Sequence, residues 1–444
     1  MKTFFIKVFG CQMNEYDSLK VKSILESLNL KEVKDPYQAD IILVDTCTVR
    51  EKPENKALSF LGQFRKLKKE KNLILGIFGC VPQRIGKKIY EEMPYVDIVI
   101  GTFNYYLLPY YLEKVKKGKR VFEIWNNYKE EENKVSFYPS PPKGPISYIT
   151  IQIGCNRFCS YCIVPFVRGR ERSKPISLIL KEIDKTLEKY PFIKEIQLLG
   201  QNIDFYKCPE TKMSFENALE EISNYVLKKG VKRVRFVTSH PSGFSKKLID
   251  TLYNLKEIVM PYVHLPPQSG SNKILKLMKR GYTKEEYLEK VFYLKEKIKD
   301  VSISGDFIVG FPGETEKDFE ETLSLVEKVR YDQGFVFAYN PRPYTYAATF
   351  LKDNVFKEEK INRLQVLNSL ISKIGYEKNK AFVGKETSVL ITKIEKQDQK
   401  YLYEGRNPQN KIVIFESEKK LDFDIYKVKI KEAYPYYLKG VLNV

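Results

Sequence analysis

Short apolar runs separated by amphipathic stretches set the rhythm of the first 115 positions. Residues 4–9, 41–44, 73–78 and 96–100 read as strands, and residues 15–28, 54–70, 83–92 and 104–115 carry helical spacing. Continuous apolar strands alternating with helices indicate a parallel sheet covered on both faces. Residues 116–146 lose this rhythm. Trp125-Asn126-Asn127, the acidic run Glu130-Glu131-Glu132 and Pro139-Ser140-Pro141-Pro142-Lys143-Gly144-Pro145 have the composition of a linker. From 147 the alternation resumes at longer range, with strands expected at 148–153, 195–199, 233–238, 262–265, 301–309 and 334–339. Helices fit between them at 177–189, 215–229, 245–254, 271–297 and 316–329, with a last one at 358–380. Six such units predict a partial (β/α)6 barrel over 147–380. Short strands at 386–394, 400–404, 411–415 and 426–433, with a turn at Gly405-Arg406-Asn407-Pro408-Gln409-Asn410, predict a small antiparallel β-barrel over 381–444. The expected class is α/β, in three domains: 1–115, 147–380 and 381–444.

Charge adds one hint. The 76 Lys and Arg against 56 Asp and Glu give +20, a field that recruits polyanions, nucleic acid first among them. A solvated lysine-rich surface accounts for it equally well. No stretch approaches the ~18 apolar residues of a membrane span. Lys7 interrupts the N-terminal apolar run and leaves it too short for an export signal. A cytoplasmic protein without a membrane partner is expected. Seven cysteines, an odd number, then argue for reduced thiols used as ligands or reagents.

Cys155-Asn156-Arg157-Phe158-Cys159-Ser160-Tyr161-Cys162 is the most informative segment. Three thiols at C-x3-C-x2-C spacing follow the first barrel strand, at the end where barrel enzymes place their chemistry. Soft thiolates select zinc or iron–sulfur. Structural zinc wants four ligands, and no fourth Cys or His is near: the two histidines are His240 and His264. A four-iron cluster held by Cys155, Cys159 and Cys162 leaves one iron open, an arrangement suited to catalysis.

Cys11, Cys47 and Cys80 are distant in sequence but alike in context, each following an apolar strand. In a parallel sheet those strand ends share one edge, where open α/β sheets bind ligands. Gly10 and Gly79 precede two of them, allowing close backbone approach. A second, auxiliary cluster with three ligands and one open iron is expected there; three buried structural cysteines are the competing reading. Cys208, in a polar loop, is read as structural.

With both sets placed, the chain resembles the MiaB-type methylthiotransferases of the radical SAM (S-adenosylmethionine) superfamily. The resemblance rests on Gly10-Cys11-Gln12-Met13-Asn14 with Asp17-Ser18, Thr46-Cys47-Thr48-Val49-Arg50-Glu51, Gly79-Cys80, and residues 154–165 with Arg168-Gly169-Arg170-Glu171. It continues through Leu199-Gly200-Gln201-Asn202, Thr238-Ser239-His240-Pro241, His264-Leu265-Pro266, Gln268-Ser269-Gly270-Ser271 and Ile308-Val309-Gly310-Phe311-Pro312-Gly313-Glu314-Thr315. The last segment resembles the family's RNA-binding TRAM barrel.

The resemblance implies two 4Fe-4S clusters and two SAM molecules per turnover, one methylating a sulfur at the auxiliary cluster and one generating a 5′-deoxyadenosyl radical. It further implies methylthiolation of C2 of N6-isopentenyladenosine beside the tRNA anticodon. The implied partners are the anticodon loop, an electron donor such as flavodoxin or ferredoxin, and a sulfur donor; a monomer is expected. Sister activities act on threonylcarbamoyl-adenosine or on an aspartate of a ribosomal protein. Gln12-Met13-Asn14, Val49-Arg50 and Arg342-Pro343 favour the isopentenyl-adenosine branch. Asp45, Pro82 and Tyr344 depart from the family pattern, which usually has Asn, Ala and Gly there.

Lesser candidates surround these motifs. Arg157, Arg168, Arg170 and Arg172 crowd the cluster loop and suit tRNA phosphates or the SAM carboxylate. Asn202 and Asp306 are candidate SAM contacts, and the loop 310–314 is a candidate wall of the SAM pocket. His240 and His264 lie near strand ends, where a structural role competes with a catalytic one.

Overall fold

In the computed structural model, described for residues 2–49, 51–125 and 130–443, an N-terminal sheet domain, a partial barrel and a closed C-terminal barrel follow one another. The first sheet runs β1 (Thr3–Phe9), α1 (Gln12–Ser27), β2 (Lys31–Glu32), β3 (Ile41–Thr46), α2 (Glu51–Gln63), α3 (Leu67–Glu70), β4 (Ile74–Gly79), α4 (Cys80–Glu92), β5 (Ile98–Ile100), α5 (Leu108–Lys116) and β6 (Val121–Glu123). Its order is β2-β1-β3-β4-β5-β6, and all pairs are parallel. Every residue of β3 and β4 is buried, because alternate side chains feed two cores. Leu43, Phe78 and Ile98 meet Val21, Ile24 and Leu112 on one face. Ile42, Val44 and Ile77 meet Ala57, Leu61 and Val81 on the other.

The segment expected to be a linker needs correction. It supplies β6 to the sheet, so the N-terminal domain runs past 115. Val135 and Tyr138 pack against its core, and the Tyr138 carbonyl accepts from Lys20 Nζ at 2.6 Å. Asn126 and Asn127 lie outside the described residues.

The barrel continues with β7 (Ile146–Thr150), β8 (Gln152–Ile153), α6 (Val164–Val167), β9 (Arg172–Ser173), α7 (Ile176–Lys189), β10 (Glu195–Leu199), α8 (Phe215–Lys228), β11 (Arg233–Phe236), α9 (Lys246–Asn254), β12 (Tyr262–His264), α10 (Asn272–Leu277), α11 (Lys284–Lys297), β13 (Ser302–Val309), α12 (Glu316–Val329), β14 (Gln333–Ala338), α13 (Tyr346–Phe350) and α14 (Lys357–Lys380). Its six main strands form two parallel arcs, β11-β10-β7 and β12-β13-β14, joined by a parallel bridge between Val234 and Val259. This matches the expected partial barrel. The helix expected over 271–297 is instead two, because Lys279 (φ 56°) and Gly281 (φ 71°) turn the chain back between α10 and α11.

The C-terminal barrel consists of β15 (Glu386–Gln397), β16 (Lys400–Arg406), β17 (Ile412–Ser417), β18 (Ile425–Ala433) and β19 (Tyr437–Leu442), closed in the order β15-β16-β17-β19-β18. It is mostly antiparallel as expected, except that β17 and β19 pair in parallel. This barrel docks at the amino ends of the larger barrel's strands. Arg233 donates to the carbonyls of Arg406 and Ser388, and Arg235 to those of Asn407 and Pro408.

Candidate metal centres

Parallel register brings the first thiol set together. Phe9 pairs with Thr46 and Thr46 with Gly79, so the next residues along each strand share one edge. Cys47 and Cys80 follow directly, and Cys11 follows Gly10. The Cys47 amide donates to the Phe9 carbonyl at 3.0 Å. Cys11 and Cys47 lie within hydrogen-bond contact, and the Cys47 thiol holds Cys11 down to about 6 against the effect of burial, with Arg168 assisting. Burial pushes Cys80 up to about 11, although Arg168 opposes it. Helices α1 and α4 begin at this edge, so their positive ends face the sulfur atoms. Asn14 Oδ1 accepts from the Cys11 amide at 3.3 Å and thiol at 3.4 Å, and Asn14 Nδ2 donates to Asp45 Oδ1 at 2.8 Å.

The second set is built by one loop. Gly154, at φ 79°, leaves no room for a Cβ, which would stand 2.1 Å from the Arg170 carbonyl oxygen. The loop is clamped by Cys155 N to Gly169 O (3.2 Å), Ser160 N to Met278 O (2.9 Å) and Ala347 N to Ser160 O (2.7 Å). Burial pushes Cys162 up to about 12, with Cys159 and Cys155 close enough to add to it.

Cys11 and Cys47 of the first set and Cys162 of the second line one cavity of ≈ 1160 Å³, together with Tyr161, Asp306 and Arg342. Among the described residues, no three His, Cys, Asp or Glu side chains close on a point that holds a single metal ion. Two features fit a larger, anionic, sulfur-rich group. Arg168, 3 % exposed, donates through Nε to Cys80 Sγ at 3.3 Å and pairs with Asp17 at 2.6 Å, while its Nη2 has no hydrogen-bond partner among the described residues. Arg280 donates through Nη1 to Cys159 Sγ at 3.4 Å. Three cysteine sulfurs beside a buried arginine suit an iron–sulfur cluster at each triad, the thiols giving up their protons on binding it.

Other candidates divide. Asp306 lines the cavity and lies 3.4 Å from His264 Nε2, while His264 Nδ1 bonds Ser304 Oγ at 2.8 Å. Asn202 is outside that lining. It lies buried behind the cluster loop, 3.4 Å from Glu171, with its Oδ1 unpartnered among the described residues. The four arginines do not form one exposed phosphate patch. Arg168 turns inward to the first triad, and Arg157, Arg170 and Arg172 lie over the rings of Phe205, Phe158 and Phe103. Glu314 is committed to Arg363 and the Gly310 amide, so the loop 310–314 backs the cluster loop, with Phe311 edge-on to Tyr161. His240 is kept neutral by burial and by Arg280, Arg157 and Lys290. Cys208 is buried in the barrel core, apart from both triads. Tyr344 stands at φ 71°, a conformation that favours the glycine of the family pattern. Arg280 escaped the sequence reading; its one signal was the Arg280-Gly281 step inside an otherwise helical pattern.

Comparison with known proteins agrees with this geometry. The Radical SAM superfamily model matches residues 149–326, and the Uncharacterized protein family UPF0004 model matches residues 3–101. A tRNA-2-methylthio-N(6)-dimethylallyladenosine synthase of Geobacter metallireducens is 42% identical over 448 residues, covering 100% of this chain and 99% of that protein. The enzyme of the same name from Carboxydothermus hydrogenoformans is 42% identical, covering 99% of each. Among solved structures, the radical S-adenosylmethionine methyltransferase TsrM of Kitasatospora setae aligns with a TM-score of 0.58 at 14% identity, over 78% of this chain and 75% of that one. That likeness concerns the fold. Among the described residues no helix is long and apolar enough to cross a membrane.

Proposed function

Because this chain belongs to the family of the tRNA-2-methylthio-N(6)-dimethylallyladenosine synthases, within the radical SAM superfamily, we propose that it methylthiolates C2 of N6-isopentenyladenosine beside the tRNA anticodon. The observation that carries this reading is the single cavity onto which Cys11, Cys47 and Cys162 all open. Cys155, Cys159 and Cys162 hold the SAM-cleaving cluster, and Cys11, Cys47 and Cys80 hold the auxiliary one. When bound, these groups supply one-electron cleavage of SAM and a sulfur atom for insertion.

The chain's own residues do the rest. Phe9, Tyr161, Ile308, Val336 and Tyr339 give the cavity an apolar wall suited to a flat base with a branched hydrocarbon tail. Asn340 and Arg342 supply polar contacts at its rim. Arg342 is fixed by its Nε bond to the Val49 carbonyl at 3.0 Å, while its Nη2 has no partner among the described residues. Asp306, on the cavity wall, and Asn202, behind the loop, are the proposed SAM contacts. The C-terminal barrel is assigned to RNA binding. A flavodoxin or ferredoxin supplies electrons, and an external donor replaces the sulfur. The relatives' names support the isopentenyl substrate over threonylcarbamoyl-adenosine or a ribosomal-protein aspartate.

Mass spectrometry of tRNA nucleosides tests this. A deletion strain is expected to lose 2-methylthio-N6-isopentenyladenosine and accumulate N6-isopentenyladenosine, with recovery on complementation. Unchanged methylthiolated nucleoside would refute the assignment.

A further inference from the structure

Arg280 sits in the turn between α10 and α11 and is 5 % exposed. Its Nε donates to Tyr282 Oη at 3.1 Å, Nη2 to the Pro266 carbonyl at 2.9 Å, and Nη1 to Cys159 Sγ at 3.4 Å, with Tyr161 Oη at 3.5 Å. A guanidinium taken from water into such a place needs a counter-charge. Of the other buried arginines, Arg363 pairs with Glu314, Arg235 with Glu195 and Arg168 with Asp17, while Arg233 and Arg342 bond backbone carbonyls and feel Glu195 and Glu54 at longer range. Arg280 has no carboxylate in salt-bridge contact among the described residues. The groups that act on it are Tyr161, Tyr282 and Cys159. A tyrosine phenol carries no charge near neutral pH. What remains is the sulfur of Cys159.

We propose that Arg280 is a positioning residue whose counter-charge is the SAM-cleaving cluster, and that its hydrogen bond to Cys159 raises that cluster's one-electron reduction potential. The proposal rests on the reading of Cys155, Cys159 and Cys162 as iron–sulfur ligands. Each one-electron reduction adds one negative charge to the cluster. A fixed buried cation therefore stabilises the reduced form more than the oxidised form. The first triad offers a contrast, since the charge of Arg168 beside Cys80 is already balanced by Asp17. Arg280 has no such partner, so its effect on potential is the larger of the two.

The test uses the full-length Cys11→Ala/Cys47→Ala/Cys80→Ala protein, reconstituted anaerobically so that one cluster remains. Iron and sulfide are counted, and the cluster is titrated with dithionite and mediators by electron paramagnetic resonance, without SAM. Arg280→Gln is expected to keep its iron and lower the midpoint, so that the reduced-to-oxidised ratio at fixed potential falls about tenfold, ~59 mV for one electron. Arg280→Lys, which keeps the charge, is expected to recover most of that shift. A loaded Arg280→Gln cluster with unchanged potential overturns the proposal. If Arg280→Gln binds no iron, loading of Arg280→Lys decides: iron retained by Lys supports the counter-charge, and iron lost from both variants contradicts it. Absence of iron from the parent with Arg280 intact would instead defeat the ligand assignment itself.

Discussion

Two sets of three cysteines flank one cavity, which Cys11 and Cys47 of one set and Cys162 of the other line, yet the chain assembles them by opposite routes. Cys155, Cys159 and Cys162 belong to a single loop whose clamps are mostly backbone hydrogen bonds to neighbouring segments. Cys11, Cys47 and Cys80 come from the ends of three strands and meet only when β1, β3 and β4 pair in register. The loop triad is a local structure placed on a barrel. The strand triad is a product of tertiary folding. One should tolerate changes in the surrounding sheet, and the other should not.

The largest effect separates the roles of the triads. Cys159→Ala is expected to abolish 5′-deoxyadenosine formation. Cys47→Ala is expected to leave SAM cleavage in place while eliminating methylthiolated product. Chromatography of both products in one assay checks this, and loss of SAM cleavage in Cys47→Ala would erase the distinction.

Next comes the joint that holds the triads opposite each other. Glu182 on α7 is buried between Lys20 of α1 (2.7 Å) and Lys174 (2.6 Å), and it also accepts from Tyr16 at 3.1 Å. Glu182→Ala leaves two buried cations unpaired and is expected to cost about 3–5 kcal/mol by chemical denaturation. The ratio of methylthiolated product to 5′-deoxyadenosine should fall, because each triad survives but their alignment does not.

A smaller effect probes the strand triad alone. Gly79 stands at φ 99°, and a Cβ there would lie 2.5 Å from Asp45 Oδ1 and 2.8 Å from the Thr46 carbonyl oxygen. Gly79→Ala is expected to cost about 1–3 kcal/mol and to weaken iron binding at Cys11, Cys47 and Cys80. Iron analysis in a Cys155→Ala/Cys159→Ala/Cys162→Ala background reads it directly.

The smallest effect on the triads belongs to the barrel side. Burial raises the Asp204 carboxyl to about 7, although the His240 amide donates to it at 2.7 Å. The folded chain therefore keeps a proton that the unfolded chain releases near pH 4. Stability from this group is full below that pH, declines as pH rises towards 7, and levels off above. The slope is about 1.4 kcal/mol per pH unit within the window. Asp204→Asn should flatten that part of the stability–pH curve without changing the strand triad's iron content.

The contrast also explains what was legible in the sequence. The C-x3-C-x2-C loop could be read because its ligands lie within one turn-rich segment after a strand. The strand triad was legible because β1, β3 and β4 are apolar runs ending near their cysteines. β6 was hidden because Val121-Phe122-Glu123 is short and sits in polar surroundings, and its partner β5 lies across a helix. β19 pairs with β17 in parallel, a non-local choice that an antiparallel pattern does not announce. Arg280 looked like one more surface cation in a lysine-rich helix. Only the left-handed turn at Lys279 and Gly281 folds it under the loop. Its neighbours Pro266, Tyr161 and Cys159 come from other parts of the chain, so the Arg280-Gly281 step marks a turn but not what the side chain meets.

The most direct test is iron and acid-labile sulfide per chain in three anaerobically reconstituted proteins: the wild type, the Cys11→Ala/Cys47→Ala/Cys80→Ala variant and the Cys155→Ala/Cys159→Ala/Cys162→Ala variant. Two separate four-iron centres require about eight irons in the first and about four in each of the others. A variant that keeps the full wild-type count, or one whose loss empties both sites, would contradict the division into two independent triads.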